Sequence, residues 1–189
     1  PVLLALFLQA MYGAVDLLVV GQFSSAAAVS AVSTGSQIQQ SVTTVITGIA
    51  MGITVLVGQK IGEKHPHEAG MIIGSGIAMF AVIAVILTIL MTCGASSLSA
   101  LMQAPEEAFS ETTAYIRICS AGAVFIIAYN VLGSIFRGIG DSKSPMYFIA
   151  IACVVNIGLD YLFMGYLHLG PVGAALGTTL SQLVSVAIA

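Results

Sequence analysis

LLVVGQFSSAAAVSAVSTGSQIQQSVTTVITGIAMGITVLVGQ, residues 17–59, decides the fold. No Asp, Glu, Lys or Arg interrupts it, and residues 69–105 form a second uncharged run. A bilayer core takes about 20 apolar residues per helix, so each run holds at least one span. The first is long enough to end one span, turn at Ser24-Ser25 and begin another. Across the chain 58% of residues are hydrophobic, only 7% are charged and the mean hydropathy is +1.06. Soluble domains carry about 25% charged residues to wet their surfaces. This chain cannot cover a water-exposed shell, and the sequence predicts an all-α membrane bundle.

Turns and charges divide it into six spans, at about residues 1–22, 27–61, 68–93, 107–137, 145–167 and 171–189, forming a single unit. The chain opens inside an apolar segment and shows no signal-peptide pattern, so the expectation is a piece of a longer protein. The second span is longer than a bilayer needs and must tilt, bend or project. Lys60, Lys64, Arg137 and Lys143, four of the five basic residues, fall on one side. The positive-inside rule makes that side cytoplasmic in a multi-pass cell-membrane protein. Arg117 is the exception, expected to snorkel to the outer interface or to line a wet cavity. Glycine pairs at 48/52, 58/62, 70/74 and 173/177 have the spacing that lets membrane helices approach closely.

Several chemistries are excluded. The net charge of −3 and the lack of a basic stripe argue against a nucleic-acid partner. Cys93, Cys119 and Cys153 are far apart, unlike zinc or redox pairs. GIGD at 138–141 resembles an intramembrane protease motif, but Arg137, Lys143 and Pro145 place Asp141 in a solvated turn. His65 and His67 lie in a charged loop without further ligands. No enzyme activity and no cofactor are expected.

What remains is Asp16 and Asp160, acidic residues deep within spans one and five. A charged Asp near a helix centre costs about 2.5–3.5 kcal/mol, and such residues mark ion or proton pathways. At 1.5 Å per residue both lie roughly 10 Å below the outer interface. Thr178 reaches a similar depth from the sixth span, and Asn156 shares a helical face with Asp160. A polar cluster is therefore expected in the outer half of the membrane. Gln9, Tyr12 and Asp16 share a face of span one, while Ser33, Gln37, Gln40 and Thr44 make a polar stripe on span two. Such stripes face protein or water, not hydrocarbon; they are either a substrate path or hydrogen bonds between helices. Tyr115 and Asn130 on span four are candidates of the same kind.

MYGAVDLLVVGQF, GITVLVGQKIG, RGIGDSKSPM, NIGLDYLFM and GPVGAALGTTLSQ occur in the order and spacing of MATE (multidrug and toxic compound extrusion) transporters. The chain resembles the amino-terminal lobe of that family along essentially its whole length. The resemblance implies one six-helix lobe of a two-lobed, twelve-helix transporter, the carboxy-terminal lobe being absent. It implies export of organic, often cationic compounds against inward-moving H⁺ or Na⁺ by alternating access. Asp16 resembles the first-helix acidic residue, Asn156 and Asp160 the fifth-helix pair, and Thr178 the sixth-helix hydroxyl. This set would couple to H⁺ or hold Na⁺, the one ion expected. Gln9, Tyr12, Gln37, Tyr115 and Asn130 would line the substrate cavity, and Pro1 resembles the proline at which the first helix bends. The alternatives are a flippase of lipid-linked saccharides from the same superfamily, or a passive channel or structural bundle. A flippase cavity should carry several Arg or Lys for lipid phosphates, and only Arg117 qualifies.

Overall fold

This computed structural model describes residues 2–189, and their side chains except at positions 2, 5, 6, 9 and 12. Pro1 and the side chains of Gln9 and Tyr12 thus lie outside the described residues. The described chain is helical, with short turns. α1 is Val2–Phe23, α2 Ala26–Gly62, α3 Pro66–Cys93, α4 Ala95–Leu101, α5 Glu106–Ala121, α6 Ala123–Gly138, α7 Lys143–Asp160 and α8 Gly170–Ile188. A π-helical turn, Tyr161–Tyr166, continues α7.

Local chemistry sets these limits. Ser25 caps α2, its hydroxyl accepting from Ala28 N at 3.2 Å and satisfying one of the amides a helix start leaves free. Pro66 opens α3 where no amide hydrogen is needed. Glu106 and Glu107 sit in the first turn of α5, beside the positive end of the helix dipole. Gly140, at φ +90°, makes the turn before α7.

Asp141 organises that turn. Its Oδ1 accepts from Lys143 N at 2.9 Å and Ser144 N at 3.1 Å, and its Oδ2 accepts from the Ser144 hydroxyl. The Ser144 hydroxyl and these amides hold the Asp141 carboxyl below the usual carboxylate range. A depressed pKa means the cap stabilises α7 above the unfolded-state value and is lost only as pH falls through the lowered one. Asp141→Ala is therefore expected to speed amide exchange at residues 143–147 at pH 7, with Asp141→Asn milder. In the unsubstituted protein that protection should hold across neutral pH and fail only in acid.

The fourth expected span differs from a single rod. It is two helices bent by 51° at Gly122. A Cβ at Gly122 would collide with Thr179 on α8, so the bend brings α5 and α8 closer than a side chain permits. The short α4 lies between α3 and this bent pair.

Four described helices are long and apolar enough to cross a membrane, or five with the bent pair counted as one span. Their outward faces carry Val82, Val85, Ile86, Ile89 and Leu90, all at least half exposed. An apolar surface of that extent needs hydrocarbon against it. α2 runs through the centre and packs on α5, α6 and α3, while α7 packs on α8 and α1. One core joins Val20, Val32, Tyr115, Met164 and Ala175 near α1, α5 and α8. Another joins Ile46, Val57, Phe80, Ile127 and Val131 between α2, α3 and α6. Hydrogen bonds tie helices together where lipid offers none: Thr47 Oγ1 donates to Asn130 Oδ1 at 3.1 Å, and Thr54 Oγ1 to the Ser134 carbonyl at 2.8 Å.

The glycine pairs behave unequally. Gly48, Gly52, Gly62, Gly70 and Gly74 have no atom of another element within 4 Å of where a Cβ would stand, because they face outward. Close approach belongs to Gly173 and Gly177 on α8, and more loosely to Gly58 beside the Gly138 carbonyl. Arg117 is exposed. Cys119 and Cys153 are buried free thiols, and Cys93 is an exposed one.

Candidate functional site: a buried carboxylate pair beside a polar cavity

Asp16, Asn156, Asp160 and Thr178 converge where α1, α7 and α8 meet. Asn156 and Asp160 are fully buried, Asp16 is 5% exposed and Thr178 8% exposed. Thr178 Oγ1 donates to Asp16 Oδ2 at 3.0 Å. Asn156 Nδ2 reaches Asp160 Oδ1 at 3.5 Å, a long contact along the i, i+4 face of α7. Gly177, next to the Thr178 that binds Asp16, has Asp160 Oδ1 and Asn156 Nδ2 against it, which brings the two acids to the same stretch of α8. Asp16 Oδ1, Asp160 Oδ2 and Asn156 Oδ1 have no hydrogen-bond partner among the described residues.

The arrangement is short of donors. Two carboxylates lack a donor between them, and like charges that close cannot both ionise cheaply. One proton, or one small cation accepting several oxygens, would relieve the pair. The unpartnered oxygens fit Na⁺ as well as H⁺, being hard carboxylate and amide ligands of the kind that hard cations take.

α8 makes the approach possible. A Cβ at Gly177 would collide with Asp160 Oδ1, so the carboxylate occupies the space a larger residue would take. Removing the Thr178 hydroxyl should have a separate effect. Thr178→Val leaves Asp16 Oδ2 without this donor, a loss of about 1–3 kcal/mol for a buried group. Its expected result is a lower unfolding temperature in detergent, with Thr178→Ser close to the original.

A cavity of about 140 Å³ opens beside the pair. Asp16 and Thr178 form one wall, Tyr115 and Asn130 another. The ring of Tyr115 lies against Gly35, where a Cβ would collide with it. α2 contributes Ser36, Gln39, Gln40 and Thr43, an i, i+3, i+4, i+7 set on one helical face. Gln37, expected on this wall, is exposed and is not among the lining residues. At 100° per residue it points away from the face that Ser36 and Gln40 share.

Tyr129 and Gln182 also line the cavity, and the sequence reading did not single them out. Gln182 Oε1 is buried without a hydrogen-bond partner among the described residues. It follows Thr178 by four residues, one helical turn, and that spacing was a usable signal. Tyr129 gave no comparable sign, because the bend at Gly122 breaks the periodicity that would have linked it to Tyr115.

A bundle of apolar helices enclosing buried acids and a polar cavity has the architecture of a multi-pass membrane protein with an internal polar site. The chain belongs to the MatE family, whose model matches residues 1–162. The probable multidrug resistance protein YoeA of Bacillus subtilis is 28% identical to it, over 98% of this chain and 41% of that protein. Two solved structures of a multidrug resistance MATE family transporter of the MOP superfamily are also similar. The outward-facing conformation matches at TM-score 0.91 and 27% identity, over 98% of this chain and 41% of the other. The inward-facing conformation matches at TM-score 0.87 and 28% identity, over 95% and 40%. The chain thus spans about 41% of the length of the relatives it matches.

Proposed function

We propose that this chain is the amino-terminal lobe of a cation-coupled multidrug antiporter, completed by a second six-helix lobe. Asp16 and Asp160 are the coupling carboxylates, assisted by Asn156 and Thr178. Charged, the pair attracts an organic cation into the cavity. Neutralised by H⁺ or occupied by Na⁺, it loses that attraction, and the helices repack to open the opposite side. The observation that carries this reading is the convergence of two buried acids with unpartnered oxygens beside a cavity with polar walls. Burying both acids is costly, and a changing charge state gives that cost a use. Gln40, Tyr115, Tyr129, Asn130 and Gln182 contact the substrate. The likeness of one lobe to both outward-facing and inward-facing relatives supports a largely rigid lobe that rocks against its partner.

The test is uptake of a fluorescent organic cation by proteoliposomes containing the full-length protein. Uptake should follow an imposed ΔpH or Na⁺ gradient and cease when the gradient is collapsed. Uncoupled flux would identify a channel, and transport of lipid-linked saccharide instead would identify a flippase. The loops at 63–67 and 139–142 are placed in the cytoplasm. Cysteines introduced there should react with an impermeant maleimide only after the cells are opened.

A further inference from the structure

A second concavity lies away from the carboxylate pair, between α2 and α3. It is an open groove of about 560 Å³ lined by Ile53, Leu56, Met71, Ile72 and Met79, with Glu68 at one end. Its α2 residues are rotated about 120° around the helix from the cavity-lining set, at 100° per residue. From Glu68 to Met79 it runs roughly 16 Å at 1.5 Å per residue, close to one leaflet of a hydrocarbon core about 30 Å thick. One end is therefore at headgroup depth and the other near the bilayer centre. Gly76 keeps its floor low, since a Cβ there would run into Ile53.

The rim at the headgroup end carries a specific charge pattern. Lys60 Nζ contacts Glu63 Oε2 at 2.8 Å and Glu68 Oε2 at 2.9 Å. One ammonium thus faces two carboxylates, and His65 Nδ1 stands 3.5 Å from Glu68 Oε1. Lys64, in the same turn, makes no ion pair among the described residues. The rim has a carboxylate to spare for a cationic donor and a lysine to spare for an anion beside it.

We infer that this groove binds one phosphatidylethanolamine molecule, an acyl chain lying along α3 and the headgroup on the Lys60–Glu68 rim. The primary ammonium donates to Glu68 and Glu63, and the adjoining phosphate accepts from Lys64 and Lys60. A choline headgroup has no N–H to donate. A glycerol headgroup has no positive charge for the spare carboxylate. The site is independent of the transport reading, because it uses none of the cavity residues.

Diazirine-bearing phosphatidylethanolamine, phosphatidylcholine and phosphatidylglycerol, each at the same dose in phosphatidylcholine vesicles holding the full-length protein, provide the test. Photolabelling by phosphatidylethanolamine should concentrate on residues 53–56 and 68–79 and exceed that by the other two. Glu68→Gln should reduce it roughly threefold, the scale of one partly exposed ion pair, while Glu68→Lys should shift the preference to phosphatidylglycerol. Ser75→Phe, which fills the groove from its exposed side, should remove the label there and leave labelling at residues 82–90 unchanged. Monodisperse elution of each variant checks that it is folded. Equal labelling by the three lipids would reduce the groove to ordinary bulk-lipid contact. An unlabelled groove would assign it to another part of the protein, and either result overturns the inference.

Discussion

Replacing Asp160 by Asn is expected to abolish the proposed drug export by the full-length protein and to leave its membrane insertion intact. The two outcomes separate because they rest on different physics. An ionised Asp near a helix centre costs about 2.5–3.5 kcal/mol, so the neutral amide makes α7 no harder to insert. Asn also keeps an oxygen and a nitrogen for Asn156 and Asp16 to meet, and the buried shape hardly changes. The variant loses a site that can gain and lose charge. A ligand shifts a two-state equilibrium only by its differential affinity for the two states, and without that carboxylate the coupling cation has far less to distinguish. Drug resistance of cells carrying Asp160→Asn should fall to that of cells lacking the transporter, at equal membrane abundance. Resistance at the unsubstituted level would remove Asp160 from the mechanism.

The second large effect is expected at Gly177. Gly177→Ala places a methyl group where Asp160 Oδ1 stands, and either the carboxylate or α8 must move. Overpacking of this kind costs about 1–3 kcal/mol, and a displaced Asp160 also loses its register with Asp16. The variant should unfold at lower temperature in detergent and lose gradient-driven uptake together. Gly74→Ala is the matched control, because Gly74 is exposed with nothing near its Cβ position. That change should be neutral, or stabilising by about 0.5–1 kcal/mol from the lower entropy of the unfolded chain. If both variants behaved alike, the tight α7–α8 approach would have no special role.

The helical membrane architecture and the meeting of the acids were legible because both rest on crude quantities. A bilayer fixes span length, and residue counts from each span end fix depth; those counts put Asp16, Asp160 and Thr178 level. Orientation about a helix axis is a finer matter. On α2 the residues Ser33, Thr34, Ser36, Gln37, Gln39, Gln40, Ser41, Thr43 and Thr44 spread over about 220° of the helix at 100° per residue, so polarity alone does not single out the wall of a cavity. Gln37 was consequently read onto a wall that Ser36, Gln39, Gln40 and Thr43 supply. The bend at Gly122 was hidden for a related reason. Gly122 is one of 20 glycines, and what distinguishes it is Thr179, 57 positions further along by subtraction of their numbers. The glycine pairs at 48/52 and 70/74 show the converse, a spacing without a contact.

Asp160 is the last residue of α7 before the backbone changes to the wider turn, where Leu167 N donates to Leu162 O, five residues back. That turn holds one residue more than an α-helix would need to cover the same rise. Deleting a single residue between 161 and 166 would let the turn close as ordinary helix over the same rise, so the segment beyond would keep its angular setting relative to Asp160. The residue to remove is an exposed one such as Leu162, since Met164 is fully buried in the core with Val20 and Ala174. The extra residue acts as a spacer in the gene's ruler. It is an insertion the helix has accommodated, so a one-residue deletion here should be better tolerated than one inside α7 itself.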